Sequence, residues 1–353
     1  MKRLIYIDQL KGFGILAVLF LHTVGYIRNA LPYTDIPLWR LEAWLHSFLM
    51  PFFVFVSGFS FYHFYLKPKP RNNTYIYIYI YIYIYIYRLL QIYAVFGSSI
   101  VISKILFSSY TVDKIQPSHL VSNFLLPDTS MWYIWFLILM ATATLILHRL
   151  QLTKPVSLIC IGLFTLFATL FGGPLNISNF PIGLQHLTSL PLFYFLGIYF
   201  AKKEIHKKMV RQAVFHSLAG LVTVFYLIYL QSYQTYPSQH LPFHTFLRYA
   251  NGLAMTYLIV SIIITLERRL PSIIAWFGQY SLYFYLVHTY ILTIITLFIK
   301  KYFIDFSTPL LLLISFGLLL IINTLALMIV KRIPILDKVF QGKVISYPQK
   351  KSN

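Results

Sequence analysis

Hydrophobic residues come in long runs along the whole chain, with polar residues gathered between them. Each run holds roughly 20 predominantly apolar residues, enough for a helix to cross about 30 Å of hydrocarbon. The pattern therefore predicts an all-α bundle of about ten transmembrane helices. The predicted spans are 11–30, 45–66, 88–109, 131–149, 155–173, 187–201, 212–231, 247–266, 274–298 and 308–330.

One segment breaks this pattern. From Tyr75 to Tyr87, tyrosine and isoleucine alternate without interruption, a period of two that is typical of a β-strand. A lone strand in lipid would leave its backbone unpaired, so we predict a helix about 20 Å long. Because tyrosine favours headgroup depth, we expect this helix to lie in the cytoplasmic interface and to turn inward at Arg88.

The same tract has a second interpretation at the level of the gene. TAT encodes tyrosine and ATA encodes isoleucine, so the segment can be written as an uninterrupted TA repeat. We hypothesise that slippage in such a repeat shifts the reading frame and switches the protein on and off between cells. Mixed codons in this stretch would contradict the hypothesis.

Composition and charge agree with a membrane protein. The chain is 58% hydrophobic and only 11% charged, whereas soluble domains carry about 25% charged residues. The chain carries a net charge of +20, and its lysines and arginines fall in short loops between the spans. Such loops are where a membrane protein places its basic residues. We therefore predict that the chain is embedded in a lipid bilayer and that it does not bind nucleic acid. We expect a multi-pass protein of the inner or plasma membrane, with one membrane domain at 1–340 and a basic cytoplasmic tail at 341–353.

Alternate loops are basic, which places both termini in the cytoplasm by the positive-inside rule. The one dissenting cluster is Lys300 and Lys301, on the opposite side. The basic loops are 67–71, 148–154, 202–211 and 267–269, together with the tail after Lys331.

Three ionisable residues mark the first span as a candidate site. Lys11 and His22 are eleven residues apart and within about 20° of one direction, and Asp8 lies within about 60°. Ionisable groups inside a membrane are costly and so are functional candidates. A neutral imidazole can take a proton from a hydroxyl as general base. The alternatives are a helix-packing histidine and an interfacial ion pair between Asp8 and Lys11.

The second span adds His46 and Ser57, again eleven apart and on one face. Pro51 between them frees a backbone carbonyl, which something else must satisfy. Aromatic packing explains most of this stretch on composition alone. His46 and Ser57 are weaker candidates, for substrate binding.

Further weak candidates lie in the fourth and ninth spans. Trp132 is most simply an interfacial anchor. Ser281, Tyr285 and His288 project from one side within about 60°, and His288 alone fits a structural role better than a catalytic one. We assign Trp132, Tyr285 and His288 roles in substrate binding.

No soluble-enzyme motif is present: the chain lacks a P-loop, a dinucleotide fingerprint, an H-E-x-x-H pair and a G-x-S-x-G elbow. His119, His240 and His244 are placed in outer loops without metal-ligand spacing, and the chain has a single cysteine, Cys160. We therefore predict no metal site and no bound cofactor.

Several stretches, in order, resemble the acyltransferase-3 family of integral membrane O-acyltransferases, especially its sugar and polysaccharide acetylases. They cover nearly the whole chain, about residues 3–335. The opening helix YIDQLKGFGILAVLFLHT has a basic residue eleven positions before a histidine, as in the family. The other stretches are HSFLMPFFVFVSGF, RLLQIY, WYIWFL, LPLFYFLGIYFAKK and FGQYSLYFYLVH.

The resemblance implies acetyl-CoA, or another acyl-CoA, as a cytoplasmic donor co-substrate and a glycan or lipid-linked sugar as acceptor. By position, His22 matches the family's essential histidine, Lys11 its basic partner and Arg88 a second basic residue that binds the donor. One departure is Tyr85, which stands where the first basic residue of the third-helix pair would fall. The alternatives are a lipid-linked sugar transporter or flippase, and a catalytically inactive membrane assembly protein.

Overall fold

The computed structural model describes residues 4–31, 35–67, 74–106, 131–150, 160, 162–164, 167, 190–209, 212–232, 242–303 and 305–342. Within these ranges the secondary structure is helical and no strand occurs. The helices are α1 (Ile5–Ala30), α2 (Ile36–Phe61), α3 (Thr74–Leu106), α4 (Trp132–Arg149), α5 (Pro191–Lys202), α6 (His206–Met209), α7 (Ala213–Gln231), α8 (Pro242–Thr265), α9 (Ser272–Gln279), α10 (Ser281–Tyr302), α11 (Thr308–Arg332) and α12 (Pro334–Phe340), with a π-helical turn at Tyr62–Leu66 after α2.

Among the described residues, seven helices are long and apolar enough to cross a membrane, which confirms an all-α, multi-pass architecture. They are α1, α2 with its π-helical turn, α4, α7, α8, α10 and α11. The count of ten spans and the cytoplasmic placement of the termini stay predictions. The predicted span 155–173 lies almost wholly outside the described residues, and the one at 187–201 corresponds to the 12-residue helix α5.

Three details of the predicted helix boundaries were wrong. The second span, predicted to begin at residue 45, belongs to α2, which already begins at Ile36. The span predicted at 274–298 is two helices, α9 and α10, which meet at Tyr280. His244 lies in α8 rather than in a loop, because that helix already begins at Pro242. Its ring is buried and stacks on Tyr229 with 5.8 Å between centroids.

The Tyr-Ile tract is helical, as predicted, but the expected turn at Arg88 is absent. The helix α3 runs from Thr74 to Leu106 as one uninterrupted segment of 33 residues. No glycine or proline occurs between Thr74 and Phe96, and Leu89 and Leu90, which follow Arg88, are good helix formers. An α-helix satisfies its backbone hydrogen bonds internally, whatever the alternation of its side chains. The tract therefore continues as helix into the predicted span 88–109.

The chain divides into two compact units. The first comprises Met1–Lys67, Thr153–Asn176 and Leu187–Thr324, and the second comprises Pro68–Leu152, Ile177–His186 and Leu325–Asn353. In the first unit, α1 packs along α2, α9 and α10, while α2 packs along α5 and α8. In the second unit, α3 packs against α4 and α12.

Backbone contact between α1 and α9 fixes the centre of the first unit. A methyl carbon placed on Gly12 would overlap the carbonyl oxygen of Ile274, and one placed on Gly278 would overlap the carbonyl oxygen of Asp8. Only glycine allows the two backbones to approach this closely. In membranes, such small residues replace hydrophobic burial as the means of tight helix packing.

A second crossing of the same kind joins α2 to α5. A methyl carbon on Gly58 would overlap the carbonyl oxygen of Tyr194, and one on Gly197 would overlap that of Phe55. Both glycines are buried. The two crossings hold α1, α2, α5 and α9 close to one another.

Candidate active site at a pair of histidines

The first unit brings two histidines from distant parts of the chain into contact. His22 on α1 and His288 on α10 have ring centroids 4.9 Å apart, with 42° between the ring planes. Each lies ten residues beyond a glycine of the α1–α9 crossing, Gly12 or Gly278. The two chain segments therefore run from a common backbone contact to a common pair of imidazoles.

The chemistry of His288 is defined by its surroundings. Its Nδ1 lies 2.7 Å from the Tyr285 carbonyl oxygen and 3.2 Å from that of Phe284. Carbonyl oxygens only accept, so Nδ1 carries the hydrogen and Nε2 of the neutral ring carries a lone pair. The residue is only 1% exposed, and its Nε2 has no hydrogen-bond partner among the described residues. His288 thus presents a buried acceptor nitrogen beside His22.

A group of charged side chains on α1 and α2 adjoins the pair. Glu42 Oε2 lies 2.9 Å from Nε of Arg28, and Glu42 Oε1 lies 3.9 Å from Nε2 of His46. His46 is also within electrostatic range of His22 and Arg248. These contacts connect the histidine pair to a charged cluster.

Lys11 stands on the same helix as His22, about 16 Å away along the axis at 1.5 Å per residue. Its ammonium lies 5.3 Å from the centroid of the Phe64 ring, a cation–π contact. Asp8, one turn earlier, interacts electrostatically with it. The polar stripe predicted on α1 is therefore occupied by Asp8 and Lys11 at one level and His22 at another.

With this geometry in view, comparison with known proteins is informative. The sequence model of the acyltransferase-3 family, described as an acyltransferase domain, matches residues 4–329, nearly the whole chain. This chain belongs to the acyltransferase-3 family. Searches of curated proteins and of solved structures gave no significant match. Family membership and seven apolar helices make the protein a membrane acyltransferase.

Of the acyltransferase residues selected from the sequence, His22, His46, His288 and Tyr285 lie together in the first unit. Tyr285 is buried, with its ring centroid 6.0 Å from that of His288. The Ser57 hydroxyl donates to the Phe53 carbonyl of its own helix at 2.9 Å.

Two selected residues of the acyltransferase belong to the second unit. Arg88 is exposed on α3. Trp132 is the first residue of α4 and packs edge-on against Tyr133, with 5.9 Å between ring centroids. The roles assigned to both stay predictions.

Sequence reasoning overlooked Arg28, Glu42 and Arg248 in this acyltransferase. All three are charged residues within or beside predicted apolar spans. Glu42 lies four residues before His46, the spacing at which helical side chains meet. That spacing is the signal in the sequence, but Glu42 lies outside the predicted second span, 45–66.

Proposed function

We propose that the protein is a membrane O-acyltransferase that moves an acetyl group from acetyl-CoA to a hydroxyl of a cell-surface glycan or lipid-linked sugar. His22 acts as the base or as the acyl carrier. The observation that carries this proposal is the contact between His22 and His288, with Nδ1 of His288 held by two backbone carbonyls.

In the direct route, one ring nitrogen of His22 removes the proton of the acceptor hydroxyl as its oxygen attacks the thioester carbonyl. The C–S bond then breaks, and His22 returns the proton to the coenzyme A thiolate. His288 Nε2 is an acceptor that can orient the other N–H of His22, as a fixed third group orients the base in known triads. A buried, aligned acceptor needs no rearrangement during the reaction.

In the carrier route, a nitrogen of His22 attacks the thioester and expels the coenzyme A thiolate, which leaves an acetyl-imidazole. The acceptor hydroxyl then attacks that acetyl group, its proton passes to the coenzyme A thiolate, and His22 leaves as neutral imidazole with the proton that His288 returns to it. Here His288 Nε2 takes the proton that His22 loses on acetylation. Both routes use the same two rings, so they differ in whether the protein is acetylated transiently.

The donor binds, in this proposal, through Lys11 on α1. Lys11 supports this assignment because its ammonium lies over the Phe64 ring, 5.3 Å from the ring centroid. An ammonium is a point-charge ligand for phosphate groups. The thioester end of the donor would then extend along α1 toward His22.

The test is restoration of surface acetylation in a strain deleted for this gene. We would express the wild type, His22→Ala, His288→Ala and the control His216→Ala, confirm equal membrane levels, and measure ester-linked acetate by mass spectrometry. His216 is a suitable control because it lies on α7 and contacts Gln212 and Ser261 instead of the pair. Loss of a general base costs about 10²–10⁴-fold, so His22→Ala should restore no measurable acetate.

The expected order is full restoration by the wild type and His216→Ala, partial restoration by His288→Ala and none by His22→Ala. Full restoration by His22→Ala would make that residue a packing histidine and would contradict the mechanism. Absence of acetate with the wild type would contradict the acceptor or acyl assignment. Acid-quenched reactions with radiolabelled acetyl-CoA and no acceptor separate the two routes, because only the carrier route leaves label on the protein.

A further inference from the structure

The charged cluster beside the histidine pair holds more positive than negative charge. Arg28 is paired with Glu42 at 2.9 Å, and Glu42 also faces His46 at 3.9 Å. Arg248 brings a second guanidinium within electrostatic range of His46. No carboxylate of the described residues forms an ion pair with Arg248, so one guanidinium in this cluster has no counter-charge from the described chain.

The position of Arg248 is set by the packing of α8 on α2. One turn further along α8, the Asn251 side chain donates to the Ser47 hydroxyl at 2.6 Å, and both residues are buried. Gly252 lies against the Ser47 carbonyl and the Pro51 ring, where an added methyl carbon would sit 3.1 Å from each. Ser47 follows His46 directly in sequence. These contacts hold the backbone of α8 at the level of His46 and place Arg248 beside the cluster.

A guanidinium on an apolar helix is costly unless it is paired or serves a ligand. Arg28 already has Glu42, which also holds its side chain in place. Arg248 is partly buried, and a planar guanidinium matches the geometry of carboxylate and phosphate groups. The cluster therefore offers a positively charged subsite within electrostatic range of His46, which is itself within range of His22.

We propose that the acceptor of this enzyme is an anionic saccharide, whose carboxylate or phosphate binds Arg248 and thereby brings its hydroxyl to His22. This inference rests on the proposed function and names the class of substrate for the same site. The shared chemistry is an oxyanion attached to a sugar, either as a uronic acid or as a sugar phosphate. Arg248 is a specificity-determining residue in this view, and it takes no part in the proton transfer.

A binding measurement tests the subsite without requiring turnover. Purified protein in nanodiscs would be titrated with methyl glucuronate, glucose 1-phosphate and neutral methyl glucoside, with the shift of the thermal unfolding midpoint as readout. We expect the wild type and Arg40→Gln to be stabilised by an anionic sugar and not by methyl glucoside. Arg248→Gln should lose that response, and Arg248→Lys should keep part of it. Arg40 is the matched control because it also lies on a helix of this unit, where its guanidinium donates to the Gln231 carbonyl at 2.9 Å.

Acetyl transfer supplies the second readout. With anionic acceptors, Arg248→Gln should lower kcat/KM for the acceptor by about tenfold or more, as expected for a lost charge-assisted hydrogen bond, while KM for acetyl-CoA stays unchanged. A response to glucuronate alone identifies a carboxylate, and a response to the phosphate alone identifies a sugar phosphate. Equal responses to neutral and anionic sugars, or an Arg248→Gln protein that still responds like the wild type, would overturn the inference.

The two proposals fail differently. If neutral sugars are acetylated as well as anionic ones, the acyltransferase proposal stands and the anionic subsite is wrong. If anionic sugars bind through Arg248 but no acceptor is acetylated, the subsite stands and the proposed reaction is wrong.

Discussion

Substitution of Gly278 by alanine tests whether the α1–α9 crossing sets the geometry of the histidine pair. The added methyl carbon would lie at about half of the ordinary 3.4 Å contact distance from the Asp8 carbonyl oxygen, and 2.8 Å from the Gly12 nitrogen. Both obstacles are backbone atoms, so no side-chain rotation can relieve the overlap. The helices must separate or the local backbone must distort.

The expected loss of folding stability is large, because inserting a methylene into a packed core of side chains that can shift already costs about 1–3 kcal/mol. We expect at least about 3 kcal/mol here, a factor of about 10² in the ratio of folded to unfolded protein. The catalytic geometry should suffer as well, since α1 leads from this crossing to His22 and α9 leads through Tyr280 into α10 and His288. Acetyl transfer should therefore fall even at temperatures where the variant stays folded.

The assay is a thermal melt of the purified protein in nanodiscs, followed by initial rates of transfer from acetyl-CoA. Gly220→Ala is the matched control because no heavy atom lies within 4 Å of its added methyl carbon. In a helix, this change should be neutral or stabilising by up to about 1 kcal/mol. If Gly278→Ala melts with the wild type and Gly220→Ala, the close crossing does not exist in the folded protein.

Three further expectations follow from other parts of the structure. Lys11→Met should raise KM for acetyl-CoA about tenfold, while Lys11→Arg should keep KM near that of the wild type. Initial rates in membranes over a range of acetyl-CoA concentrations measure this. An unchanged KM in Lys11→Met would show that Lys11 does not bind the donor. Asn251→Ala should destabilise the protein by about 1–3 kcal/mol, because it deletes a buried hydrogen bond and leaves the Ser47 hydroxyl only its own bond to the Trp44 carbonyl. A double-mutant melt with Ser47→Ala should show coupling, and additive effects would argue against the bond. Ile86→Pro should cost about 3 kcal/mol against Ile86→Ala if α3 is continuous, whereas a proline tolerated there would restore the turn expected at Arg88.

The helices of the bundle could be predicted from the sequence where apolar runs are long and uninterrupted. The first span and the polar stripe on α1 required only the helical period. The break at Tyr280 was missed because the predicted span 274–298 is predominantly apolar and contains no proline to mark it. The early start of α2 was missed because Arg40 and Glu42 resemble loop residues, whereas in the fold Arg40 donates to the Gln231 carbonyl and Glu42 pairs with Arg28.

Only part of the candidate site could be predicted from the sequence. Angles within one helix group residues such as Lys11 and His22, but they carry no information about the helix that lies opposite. His288 was undervalued for this reason: its importance comes from contact with His22, made through a crossing of two glycines that look unremarkable in sequence. Arg248 likewise could not be selected from the sequence, because its position depends on the packing of α8 on α2 through Asn251 and Ser47.

The continuity of α3 has a consequence for the gene as well as for the protein. A helix of 33 residues is about 50 Å long, well beyond the 30 Å that hydrocarbon requires, so the Tyr-Ile half extends the helix beyond the predicted span 88–109. Gain or loss of one complete Tyr-Ile pair lengthens or shortens that extension by about 3 Å and turns its free end by about 200°, leaving the residues beyond Arg88 in register with their neighbours. Changes in repeat number that preserve the reading frame would therefore change only the length of α3. Changes that break the reading frame would switch production of the full-length protein on or off.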